Sequence, residues 1–173
     1  MSKKLVVQIA AAAFLLGAIA TASAADKASQ KFITEAIQAN LAEIQVGKLA
    51  QQKGQSEDVK SFGQMLVSDH SDANQKAMQV ANELGVTPPN EPNAKQKATY
   101  DRLSKLTGAA FDRQFAKGMV ADHKKDIKAF EKESKKNDAA GQFAQQTLPV
   151  LQKHLQTAES LQGGGKTSRT QMR

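Results

Sequence analysis

A nine-residue phrase occurs twice in this chain, and it restricts the fold more than any other feature. Phe62-Gly-Gln-Met-Leu-Val-Ser-Asp69-His70 is echoed by Phe115-Ala-Lys-Gly-Met-Val-Ala-Asp122-His123, 53 residues later (123 − 70). Both copies read Phe-x-x-x-[Leu/Met]-Val-x-Asp-His. Both sit in apolar patterns with steps of three and four, which mark one face of an α-helix. Two of the chain's three histidines belong to these phrases, and the third, His154, stands among leucines in another helical pattern. A polar pair repeated on two inward stripes points to two related helical hairpins facing one another.

The rest of the chain fits that frame. From about Phe32 to Ala50, Phe32, Ile33, Ala36, Ile37, Ile44, Val46 and Ala50 recur at helical spacing, with Asn40 and Glu43 on the same stripe. Gly54 reads as a helix stop, and Ser56 as an N-cap ahead of Glu57 and Asp58, whose charges suit the positive end of a helix. So tight a turn predicts an antiparallel pair. The second helix is expected from about Glu57 to Leu84, with Val59, Phe62, Leu66, His70, Ala73 and Ala77 inward. Gly85 ends it, and Pro88, Pro89 and Pro92 stiffen the connection that follows. A short helix over 94–106 leads to a third long helix over 109–136, with Phe115, Met119, His123 and Phe130 on one face. Asn137-Asp138 caps a fourth over 139–161, carrying Phe143, Leu151, His154 and Ala158 inward and kinking at Pro149. The predicted fold class is all-α: a four-helix bundle with a short crossover helix between the second and third long helices, which is ferritin-like connectivity.

The ends of the chain read differently. Lys3 and Lys4, the apolar run Leu5 to Ala20 and the small-residue site Ala22-Ser23-Ala24 predict a cleavable signal peptide over 1–24, hence a periplasmic four-helix-bundle domain over 25–162. Residues 163–173 carry no apolar pattern and are expected to form a disordered basic tail. The chain has no cysteine, so neither disulfides nor thiol chemistry enter. Its formal charge of +7 falls to +5 without Lys3 and Lys4 (7 − 2), enough for weak contact with an anionic envelope surface. One tyrosine and no tryptophan leave little for base stacking, and no nucleic-acid partner is expected.

Glu43, His70, His123 and His154 fall near the middle of their helices, so a bundle should bring them into one layer, with Asp69 and Asp122 close by. Burial of that much polarity requires the groups to satisfy one another or an ion. In the first reading they form a hydrogen-bonded network that sets helix register. In the alternative, Glu43, Asp69, His70, Asp122, His123 and His154 converge on a divalent metal ion such as zinc, copper or iron.

The pattern Glu43-x-x-x-Gly47-x-Leu49-Ala50, then Val59-Lys60-x-Phe62-x-x-x-Leu66-Val67-x-Asp69-His70, resembles the exported bacterial family called domain of unknown function 4142. Phe111-Asp112, Met119-Val120-x-Asp122-His123 and Leu148-Pro149-x-Leu151-x-x-His154-Leu155 carry the resemblance through the second half. The resemblance implies a ferritin-like fold and an envelope or outer-membrane location. Di-iron proteins of ferritin-like fold carry Glu-x-x-His on two helices, but Val67 and Leu151 stand here where those glutamates would be. A di-iron oxidase is therefore disfavoured. No nucleophile–base pair or phosphate loop is present, and the expected function is non-catalytic, an envelope protein linked to stress, with a metal-binding or metal-dependent redox protein as the alternative.

Overall fold

The computed structural model describes the backbone of residues 18–167 and the side chains of residues 27–163. The apolar leader before residue 18 and the last part of the tail, 168–173, lie outside the described residues. The described residues form helices and no strand: α1 (Ala18–Lys53), α2 (Glu57–Glu83), α3 (Ala94–Ser104), α4 (Gly108–Glu133) and α5 (Ala139–Thr167). The expected cleavage site, Ala22 to Ala24, falls within α1, and α5 continues through the glycines at 163–165.

Local chemistry sets the helix ends. Ser56 caps α2, its side chain accepting from Val59 N at 3.2 Å. Asp112 of α4 reinforces the same turn by accepting from the backbone N–H groups of Gln55 and Ser56, both at 2.9 Å. At the other end Gly85 takes φ 66°, a conformation open to glycine, and Val86 N donates back to Ala81 O at 2.8 Å. Asn93 and Gln96 form a reciprocal capping box at the start of α3. Asp138 caps α5 by accepting from Gly141 N at 2.7 Å. Pro149 lies inside α5, as the sequence requires.

Contacts between ends give the topology of the bundle. Near the start of α1, Gln30 donates to Leu84 O at 2.9 Å, and Ser29 Oγ lies 2.9 Å from Glu133 and 2.7 Å from Asp138. The start of α1 thus meets the end of α2, the end of α4 and the start of α5. At the far end, Lys53 donates to Ser104 O at 2.6 Å, next to the Asp112 clamp on the α1–α2 turn. So α1 and α5 run one way and α2 and α4 the other, and the segment holding α3 carries the chain from one end of the bundle to the other. The closest helix pairs are α1 with α2 and α4 with α5.

The apolar core is in two parts. One holds Phe32, Ile37, Ala77, Phe130 and Phe143; the other holds Val46, Phe62, Leu66, Phe111 and Phe115. Along each of the four long helices the sequence passes from one cluster to the other across a buried polar position: Asn40, His70, His123 and His154. Three members of the polar layer expected from helix midpoints, His70, His123 and His154, are at that junction, with Asn40 and not Glu43 facing them from α1.

Candidate metal centre

His70, His123 and His154 project into this layer from α2, α4 and α5, and each is at most 5% exposed. Their ring centroids are 5.3 to 5.8 Å apart. A ring nitrogen of each lies within 4.8 Å of those offered by the others. Two ligands at 2.0–2.1 Å from a tetrahedral ion stand about 3.3–3.4 Å apart, and His123 Nε2 is 3.3 Å from His154 Nδ1.

The partners of the remaining ring nitrogens decide what that 3.3 Å contact is. His123 Nδ1 lies 2.9 Å from Met119 O, which can only accept, so Nδ1 carries the hydrogen. His154 Nε2 lies 2.8 Å from Asp69 Oδ2, so Nε2 carries it there. In the neutral rings both nitrogens at 3.3 Å therefore present lone pairs, and the pair is no hydrogen bond. His70 follows the same rule: Nδ1 donates to Asn40 Oδ1 at 2.9 Å, leaving Nε2 buried with no partner. Every imidazole has spent its hydrogen outward and turned a lone pair free.

Electrostatics keeps the rings in that state. Burial, with His123 and His154 nearby, holds His70 well below the usual imidazole range. Burial and His154 bring His123 down to about 4, against the opposing bond to Met119. His154 is also lowered by burial, although its bond to Asp69 pulls the other way. All three are neutral at neutral pH, which is the protonation state that binds a metal.

The six residues singled out in the sequence are thus divided. The three histidines meet, and Asp69 orients His154. Glu43 and Asp122 go elsewhere, into the wall of a cavity bounded by α1, α3 and α4 that also takes in Asp126. Helix geometry accounts for this: Glu43 is three residues past Asn40, about 60° around α1, and Asn40 occupies the place facing His70. Asp122 stands about 100° from His123 and is exposed. Asn40 and Asp126 are the residues that a search for carboxylate and imidazole pairs passes over. The signal for Asn40 was its place on an apolar stripe, and for Asp126 its position one turn after Asp122.

Burial pushes the Asp126 carboxyl up to about 6, Lys125 opposing and Asp122 and Glu35 adding to the rise. The folded protein then binds this proton in a window, between about pH 4 and 6, where the unfolded chain has released it. Stability therefore falls as pH rises through that window. The side chain is 23% exposed, so allowing for solvent screening the term is about 2 kcal/mol. The imidazoles act in the opposite sense, so the comparison must be with a variant. Urea unfolding of Asp126→Asn should show higher stability than the parent at pH 7 and no difference near pH 4.

No curated protein and no solved structure matches this chain. The family model described as Domain of unknown function (DUF4142) matches residues 16–161, a span that includes both Asp-His phrases and His154, and the chain belongs to that family.

Proposed function

We propose that this protein is an exported, ferritin-like helical-bundle protein of the bacterial envelope that holds one divalent transition-metal ion on His70, His123 and His154. The observation that carries the reading is the facing pair of lone pairs at 3.3 Å, His123 Nε2 and His154 Nδ1, with both outer nitrogens already committed as donors. A register-setting network alone would satisfy its own members. This one leaves His70 Nε2 without a partner, and an unsatisfied buried group costs about 1–3 kcal/mol. A cation among the three imidazoles removes the lone-pair conflict and supplies the partner that His70 lacks. The bonds to Asn40, Met119 and Asp69 then act as the outer supports that fix ring orientation around a metal. They also tie α1 to α2 and α2 to α5, so the register function is part of the same arrangement.

Imidazole donors suit zinc, copper, nickel and iron. The absence of a carboxylate among the converging ligands separates this site from the di-iron pattern. So enclosed a centre suits retention of an ion, not turnover of a substrate, and the protein is proposed to be non-catalytic. The single crossover between α2 and α4, with α1 parallel to α5, supports the ferritin-like assignment. Lys3, Lys4, the apolar leader and Ala22-Ser23-Ala24 support export to the periplasm. Among the described residues no helix is long and apolar enough to cross a membrane.

Metal analysis of protein purified without chelator or histidine tag tests the reading. About one equivalent of zinc, copper, nickel or iron per chain is expected. Asn40→Ala should weaken that ion by about 10–100-fold in competition with a chromophoric chelator. Protein that stays metal-free after incubation with each of these ions would refute the proposal.

A further inference from the structure

The cavity between α1, α3 and α4 has a volume of about 380 Å³, within the range of small-molecule sites. Its walls are largely apolar, with Val46, Leu103, Phe115 and Met119 among them, and Glu43 stands in the wall. Glu43 is only 6% exposed, and its Oε2 has no hydrogen-bond partner. A buried carboxyl left so incomplete is retained at a cost. Asp122 and Asp126, one turn apart on α4, line the same space. Burial, then Asp122 and Asp126, holds the Glu43 carboxyl well above its usual range, so a cation that pairs with it takes the place of a proton.

The opposite wall carries a second sign of an intended space. Gly118 lies inside α4, where glycine costs about 1 kcal/mol against alanine. A Cβ placed there meets nothing within 4 Å, so no neighbouring helix demands the glycine. It lines the cavity and keeps it wide. Among the described residues the three imidazoles alone meet the spacing for an ion, and the carboxyl groups of this cavity do not. The basic side chains at the rim, Lys95, Arg102 and Lys125, are exposed to solvent, which screens them, whereas Glu43 is not.

We propose that this cavity binds a small organic cation, a primary amine with an apolar body, whose ammonium group donates to Glu43 while its hydrocarbon lies against Val46, Leu103 and Phe115. The site shares no ligand with the metal centre and does not depend on it. Hexylamine, hexanol and hexanoate serve as matched probes, titrated by calorimetry into the full chain with chelator present. Hexylamine should bind saturably, and about tenfold or more tighter than hexanol, the margin expected for a charge-assisted hydrogen bond. Glu43→Gln should erase that preference for the amine. Gly118→Leu, which fills the space from the other wall and favours the helix, should abolish binding of both amine and alcohol. No saturable amine binding at millimolar concentration would overturn the proposal. So would equal binding of the alcohol, tighter binding of the carboxylate, or amine binding that survives both substitutions in folded protein.

Discussion

Zinc added to metal-free protein at a hundredfold excess over its dissociation constant should raise the unfolding free energy by about 2.7 kcal/mol. His154→Ala should lose that gain. The first number follows from mass action alone, since the site is assembled from three helices and does not exist in the unfolded chain. The second follows from geometry. His154 supplies one side of the 3.3 Å pair and is itself fully buried, so no other side chain can take its place. Without it, two imidazoles remain. The variant will also be less stable in chelator, because Asp69 loses its partner and the layer acquires a void. That baseline loss is common to both readings of the layer and decides nothing. The deciding quantity is the increment between zinc and chelator, measured by urea unfolding for each protein. An increment of zero in the parent would leave only the register-setting network.

The sequence made the helices and the layer legible because both are local in origin. Periodicity, the Ser56 cap, the Gly85 stop and the proline-rich connection depend on near neighbours, and the structure places helix ends within a few residues of them. The α1 start is different: it runs back to Ala18, ahead of the apolar stripe beginning at Phe32. The meeting of the three histidines was also readable, since midpoints of antiparallel helices share a height. Which way a side chain turns at that height was not. Glu43 and Asn40 lie on the same broad stripe, and only the positions of α2 and α3 determine that Asn40 meets His70 while Glu43 faces the crossover. Asp69 and Asp122 stand at the same place in the two related phrases yet have different neighbours. His154 of α5 reaches Asp69, while Asp122 lines the α3 cavity. A duplicated motif predicts a duplicated backbone, not a duplicated environment.

The spacing of α1 and α2 should control the three-histidine site from a distance, and Gly63→Leu is expected to reveal it. A Cβ on Gly63 would lie 2.7 Å from Gly47 O, and one on Gly47 would lie 2.7 Å from Gly63 O. Two backbones therefore touch through a reciprocal pair of glycines, and any side chain there must push the helices apart. Overpacking of this kind costs about 1–3 kcal/mol, and leucine against a backbone carbonyl belongs at the upper end. The gain of about 1 kcal/mol from replacing a helical glycine offsets only part of it. Asn40 lies seven residues before Gly47 (47 − 40) and His70 seven after Gly63 (70 − 63), about 10 Å along each helix and on nearly the same face. Separating the helices at the glycines thus strains the 2.9 Å bond between Asn40 and His70. Losing that support should weaken zinc binding by about 10–100-fold, although no ligand has been changed. Gly47→Ala and Gly63→Ala should each act in the same direction, and the double variant should cost less than the sum, because the first substitution already opens the gap that the second would need. Full additivity in urea unfolding would show that the glycines do not share one contact. Unchanged zinc affinity in a folded Gly63→Leu protein would show that His70 is oriented without help from α1.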